Sequence, residues 1–357
     1  MPAGKTGSKT GDKAAGGAAC GPVGEVKAAP AKARGAAAGA VDKATLLNLY
    51  RTMVRIRTFE ETAHKDFLKG GMPGFLHLYS GEEAIAVGVM SVLQRDDYIS
   101  THHRGHGHLI AKGADTKRMF AELFGKVDGF CRGKGGSMHI ADNSLNVLGA
   151  NGIVGACMHI GTGAAFACKH KHKGRIAVTF LGDASTNRGT FHEALNLAAI
   201  WDLPAVYVVE NNLYGVANCQ RDYMKVNVAD RAASYGFPGV TVDGNDVVAM
   251  REAAQEAVDR ARRGGGPTLL DCRTWRHWGH FIGDAATYRD PEEHAAWLKR
   301  DPLILTADLL RSKKWVTDAE LATIQVEADA EMQAALEFGK QSPYPSVDEL
   351  YTGVYTD

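Results

Sequence analysis

Residues 175–217 read RIAVTFLGDASTNRGTFHEALNLAAIWDLPAVYVVENNLYGVA, and the rest of the chain is best read outward from them. They open on an apolar run, 176–181, with no polar alternation and too short for a helix. That is the pattern of a parallel strand buried on both faces. The loop Gly182-Asp183-Ala184-Ser185-Thr186-Asn187 follows. Then Phe191, Leu195, Ala198 and Ala199 recur at helical spacing until Leu203-Pro204 stops the pattern. A second apolar run, 205–209, delivers Glu210-Asn211-Asn212-Leu213-Tyr214-Gly215 at its end. The unit is strand–helix–strand, with oxygen-bearing side chains at the ends of both strands. In open parallel sheets that edge is where ligands bind. The expected fold class is therefore α/β, a mostly parallel sheet with helices on both faces.

Asp183 offers a carboxylate, and Asn212, 29 positions later, offers a side-chain carbonyl. A hard cation such as Mg2+ takes oxygen ligands, few from protein and several from a phosphorylated partner. A lone Gly-Asp is a turn more often than a metal site; the pair at two strand ends of one unit changes that balance. Here the sequence resembles the thiamine diphosphate enzymes, whose motif is Gly-Asp-Gly followed about thirty residues later by a double Asn. More closely it is similar to the alpha subunit of the E1 component of 2-oxo acid dehydrogenase complexes, acetoin dehydrogenase included. The resemblance recurs in separate blocks over roughly residues 42–350.

Composition sets limits. Lys plus Arg and Asp plus Glu number 41 each, and this zero net charge argues against a nucleic-acid or membrane-surface partner. Hydrophobic residues make up 45%, enough for a sizeable core. The cysteines at 20, 131, 157, 168, 219 and 272 form no Cys-x-x-Cys pair and read as reduced thiols of a cytoplasmic protein. Neither a secretory signal nor an apolar run of membrane-spanning length is present.

Residues 1–40 are Ala- and Gly-rich, short of acids and without aromatics, so a disordered tail is expected, with a mitochondrial transit peptide as the sharper alternative. An α/β domain is expected over 41–300 and a C-terminal helical segment and tail over 301–357. Asp42 should cap a helix presenting Leu46, Leu49, Met53 and Ile56, broken by Gly70-Gly71-Met72-Pro73-Gly74. Four histidines (102, 103, 106, 108) flank Arg104. Alone, such a tract suggests a transition-metal site, although neither Cys nor carboxylate stands at ligand spacing. The segment FCRGKGGSMH (130–139) fails as a P-loop, because no Ser or Thr follows Lys134. Gly161-Thr162-Gly163 is expected to start a helix over 164–168 and lacks the third glycine of a dinucleotide fingerprint. Strands are expected at 240–244 and 268–275, and helices at 246–263 and across 302–339.

The resemblance implies more than the residues do. It implies thiamine diphosphate and Mg2+ as cofactors, with Asp183, Asn212 and Tyr214 at the metal. His103, Arg104 and His280 would face the diphosphate, alongside Gly182, Ala184 and Ser185, and the backbone of Gly152 and Val154 would face the aminopyrimidine side. His103 replaces the usual Tyr. His106 and His280 are the implied acid/base residues; taken alone, His280 reads as a loop histidine satisfied by backbone. Phe281 stands where some relatives carry a regulatory serine, so phosphorylation there is excluded. The implied substrate is acetoin or a 2-oxo acid such as pyruvate, with the acyl unit passed to a lipoyl-bearing E2 acyltransferase. The implied assembly is an α2β2 heterotetramer with an E1 beta subunit. A His-metal hydrolase built on 102–108 and a non-catalytic interaction subunit are the alternatives.

Overall fold

The computed structural model describes Cys20 and residues 41–353, so the expected disordered tail otherwise lies outside the described residues. Helix α1 (Lys43–Phe67) starts at Asp42, whose carboxylate accepts from the Thr45 amide at 2.7 Å, as its cap position predicts. Helix α2 (Glu83–Met90) leads to strand β1 (Tyr98–Ser100), and the histidine tract forms helix α3 (His106–Lys112), followed by α4 (Thr116–Leu123). Helix α5 (Ala156–His170) precedes β2 (Ala177–Gly182), α6 (Gly189–Ile200) and β3 (Ala205–Asn211), the unit read from the central segment. A hairpin of β4 (Tyr214–Gly215) and β5 (Asn218–Cys219) leads into the single turn α7 (Gln220–Tyr223). Then come β6 (Gly239–Asp243), α8 (Val247–Arg262) and β7 (Thr268–Arg273). Helices α9 (Pro291–Leu298), α10 (Pro302–Ser312) and α11 (Asp318–Gln341) finish the described chain.

The main sheet has five strands in the order β1-β2-β3-β7-β6, every neighbouring pair parallel. Alternate residues of its central strands feed two separate cores. Val178, Phe180, Val206, Val208, Leu270 and Cys272 pack with α1, α2 and α8 on one face. Ala177, Leu181, Ala205, Tyr207, Val209 and Leu269 pack with α5 and α6 on the other. A strand with two buried faces must be apolar at every position, which is why the runs at 176–181 and 205–209 show no alternation. Each Val, Leu and Phe among them, taken from water, contributes roughly 1.5–3 kcal/mol.

One boundary differs from expectation. Helix α5 begins at Ala156, well before Gly161, which sits inside it. A Cβ at Gly161 would lie 1.8 Å from Thr179 Oγ1 on β2, so this glycine allows helix and sheet to meet rather than starting the helix. The start falls to Gly155, at φ +87°, where a Cβ would meet Thr190 Oγ1 at 2.4 Å. The C-terminal run is two helices, because Lys314 turns at φ +57° and Thr317 caps α11 with a capping box. Among the described residues, no helix is long and apolar enough to cross a membrane.

Cysteine chemistry also departs from expectation. Cys20 and Cys219 form a disulfide with Cα atoms 5.4 Å apart, while Cys131, Cys157, Cys168 and Cys272 are free thiols. The partners are 199 residues apart, so no local spacing could signal them.

Candidate active site

Parallel pairing aligns Gly182 with Glu210, so Asp183 and Asn212 emerge from the same edge of adjacent strands. They line one cavity of about 300 Å³. It brings together the expected His103, Arg104, Val154, Gly182, Asp183, Ala184, Ser185, Asn212, Tyr214 and His280. His106 and Gly152 are not among its lining residues. The Gly152 amide instead points to His139 Nε2 at 3.4 Å.

At the acidic end Asp183 is buried, and burial raises its pKa while the Tyr223 hydroxyl, donating to Oδ2 at 2.5 Å, works against that rise. Gln220 donates to the same oxygen at 3.2 Å. Asn212 gives its amide to Glu82 Oε1 at 2.7 Å, leaving its carbonyl as the ligand atom. Tyr214 donates its hydroxyl to Glu293 at 3.3 Å and packs against Trp275 and Tyr288, so what it can offer a ligand is backbone.

The opposite end is cationic and rich in donors. Arg104, 3% exposed, donates to the Leu78 carbonyl at 2.8 Å and to the His280 carbonyl and Nδ1. Guanidinium can only donate, so His280 Nδ1 accepts and Nε2 carries the proton of the neutral ring. Burial, then Arg104, pushes the His280 pKa down to about 3. His77 is treated likewise, down to about 3, by burial and then Arg104. The nitrogens of His77, His103 and His280 converge within 4.8 Å. His103 Nε2 and the buried Glu82 Oε2, both lining the cavity, have no partner among the described residues, and neither does His77 Nδ1 next to His103. Unsatisfied buried groups lining a cavity are what a polar ligand would satisfy. With His280 presenting N–H and Arg104 and Arg276 alongside, this end suits an anion rather than a cation.

The remaining histidines of the tract are already engaged. His102 Nδ1 accepts from the Arg104 amide at 3.1 Å, so its Nε2 donates to Glu210. His108 Nε2 donates to Glu210 at 2.8 Å, and Tyr79 donates to it too. Burial opposes the Glu210 charge, but His108 and His102 outweigh it and hold the carboxylate far below its usual range. His106, fully buried, bonds Glu60 at 3.0 Å through Nδ1 and Ser137 at 3.0 Å through Nε2. The tract thus points three ways and gathers no common metal site. Residues 130–139 wrap inward: the amides of Cys131, Gly133, Gly135 and Gly136 all donate to the Glu122 carboxylate at 2.7–3.0 Å. A glycine-rich loop that turns these four amides onto its own anion does not offer them to a phosphate.

Sequence reading missed Glu82, Glu210, His77 and Arg276. The only signal for Glu210 was its place before the double Asn; the others come from segments far apart in the chain. Val216 and Asn218 also line the cavity, whereas His159 pairs with Glu193 at 3.0 Å outside it.

Comparison with known proteins agrees with this geometry. The family model for the dehydrogenase E1 component matches residues 51–348. The alpha subunit of acetoin:2,6-dichlorophenolindophenol oxidoreductase from Bacillus subtilis is 49% identical over 310 residues, 86% of this chain and 92% of the relative. Its counterpart from Cupriavidus necator is 49% identical over 318 residues, 88% of this chain and 95% of the relative. The pyruvate dehydrogenase E1 component subunit alpha of Rhizobium meliloti is 39% identical over 310 residues, 86% and 89% of the two chains. This chain therefore belongs to the dehydrogenase E1 component family, as an oxidoreductase chain of the alpha-subunit type.

Proposed function

We propose that the chain is the diphosphate-holding alpha subunit of a thiamine diphosphate- and Mg2+-dependent E1 component, working in the cytoplasm on acetoin or a 2-oxo acid such as pyruvate. One observation carries this reading: a single cavity gathers the oxygen ligands Asp183 and Asn212 together with Arg104, Arg276, His103 and His280. A phosphorylated ligand bridged by a hard cation needs both. When bound, thiamine diphosphate supplies the electron sink for cleavage beside a carbonyl. The chain's own residues do the rest. Asp183, Asn212 and the Tyr214 backbone hold the metal. Arg104 and Arg276 would neutralise phosphate oxygens, His103 and the 182–185 turn would donate to them, and the Val154 backbone would face the aminopyrimidine side. His280 holds a proton at Nε2, oriented by Arg104, and exchanges it with the substrate oxygen.

The same reading assigns a beta subunit, an α2β2 assembly and transfer of the acyl unit to a lipoyl-bearing acyltransferase. Its support is that the relatives are alpha subunits by name, together with exposed apolar residues at Ile153 and Val154. Val154, which lines the cavity, and its neighbour Ile153 are 48% and 68% exposed. Acetoin is favoured over pyruvate by the higher identity to the acetoin-type relatives.

Calorimetry tests the binding half. Thiamine diphosphate should bind the full chain only with Mg2+, and Asp183→Asn should weaken it at least tenfold, the loss of a charged ligand. Unchanged affinity in Asp183→Asn refutes the metal assignment. Turnover with an artificial electron acceptor should then require co-expression with the beta chain.

A further inference from the structure

Cys20 is buried between the β4–β5 hairpin, which lines the cavity, and helix α9, which does not. Its partner Cys219 ends the β4–β5 hairpin, whose Tyr214, Gly215, Val216 and Asn218 line the cavity. Its amide donates to Glu293 Oε2 of α9 at 2.8 Å. Helix α9 follows directly on the segment that carries His280, and Tyr214, Trp275 and Trp297 pack around Cys20 in a small core of their own. Cys20 therefore joins hairpin to helix, covalently on one side and by a hydrogen bond on the other.

The hairpin reaches the ligand end directly. Gln220, next to Cys219, donates to Asp183 at 3.2 Å and to Asn211 at 2.7 Å. Gly215 lies so close to the Asp183 turn that a Cβ on it would be 2.8 Å from Ala184 Cβ. Whatever loosens the hairpin loosens the support of Asp183. Two-residue strands supply little holding force of their own. Cys20 lies outside the matched family region, 51–348, whereas Cys219 lies inside it.

We propose that the Cys20–Cys219 bridge is a redox-operated strap: oxidised, it pins the β4–β5 hairpin against α9 and preorganises the Asp183 end of the cavity; reduced, it releases the hairpin. The reductant is a dithiol. Its thiolate attacks one sulfur of the bridge, a mixed disulfide forms, and the second thiol closes the dithiol's own disulfide. Two electrons and two protons then reside on the Cys20 and Cys219 thiols. In a reducing compartment, a bridge of this kind is characteristically transient and sensing rather than a permanent staple. Its effect on diphosphate affinity rests on the function proposed above; its effect on the hairpin does not.

The test uses the full chain in oxidised and dithiothreitol-reduced forms, with Cys20Ser, Cys219Ser and Cys131Ser variants. Alkylation under denaturing, non-reducing conditions should leave two of the six cysteines unmodified in the oxidised protein. Hydrogen exchange across 213–220 should speed up about tenfold on reduction, the mark of a local opening made easier. Cys20Ser should match the reduced protein and ignore dithiothreitol, and Cys131Ser should behave as wild type. Thiamine diphosphate with Mg2+ should bind the reduced form about 3- to 10-fold more weakly, the fraction of time the support is lost. Six alkylated thiols, or exchange at 213–220 unchanged in Cys20Ser, overturns the strap. Failure of thiamine diphosphate to bind either form, with the exchange response intact, refutes the diphosphate reading alone.

Discussion

Asn212 donates its side-chain amide to Glu82 Oε1 at 2.7 Å, and this bond decides which end of Asn212 is left for a ligand. Burial and then the nearby Glu210 charge raise the Glu82 pKa to about 8. Its second oxygen has no partner among the described residues. Glu82→Gln should keep an acceptor for Asn212 and leave metal-dependent ligand binding within about threefold, whereas Glu82→Ala should free the amide to flip and weaken binding by about 1–3 kcal/mol, the range for an orphaned buried group. Calorimetry on both variants checks the difference; equal losses would show that Glu82 matters through its charge.

Arg104 and Arg276 do not stand equally. Arg104 bonds Leu78, His280 and nothing acidic within hydrogen-bond reach, while Arg276 bonds the Trp278 carbonyl at 3.1 Å and Tyr288 at 3.1 Å. Arg104→Lys keeps the charge but cannot span both the Leu78 and His280 groups. It should lower diphosphate affinity by about 1–3 kcal/mol and also disturb His280. In Arg276→Lys the loss should fall on affinity with little change in kcat. Steady-state kinetics beside binding isotherms separate the two.

His280 and His106 should part company when each is replaced. His280→Ala removes a proton carrier at the cavity and should lower kcat by about 10²–10⁴. His106→Gln breaks the Glu60 and Ser137 bonds in the interior, so it should cost about 1–3 kcal/mol of stability while kcat in the folded fraction holds. Denaturant melts run beside turnover measurements test the pair; a kcat loss in His106→Gln at unchanged stability would restore a direct role for that residue.

Acid should destabilise the protein through His77. Its folded pKa is depressed to about 3 by burial and by Arg104, His280, His106 and Arg276 around it, against an ordinary value of 6.5. Between those values the unfolded chain binds the proton and the folded chain does not, so stability is complete above about pH 6.5 and falls as pH drops toward 3. From pH 7 to 5, His77→Gln should lose about 1–2 kcal/mol less than wild type, the linkage expected from one suppressed titration. Urea melts at the two pH values give the comparison; parallel losses would mean that the His77 environment is not the one described.

The sequence by itself determined the strand–helix–strand unit, because an unbroken apolar run between a polar loop and a helical repeat fits only a doubly covered parallel strand. It also placed Asp183 and Asn212, since parallel register puts neighbouring strand ends side by side. The cap at Asp42 and the helix after Asp246 were legible for the same reason: their causes are local. Tertiary structure alone decided what each histidine does. His102, His106 and His108 lie within seven residues, yet His102 and His108 converge on Glu210 while His106 turns to Glu60 and Ser137, and only those partners, brought from β3, α1 and the 130–139 loop, reveal that the ring nitrogens of all three are engaged. The same holds for His77 joining His103 and His280, for Gly161 giving way to Thr179, and for Cys20 meeting Cys219. Periodicity reports how a residue sits on its own element; which distant side chain it meets depends on how elements pack, and no local pattern carries that.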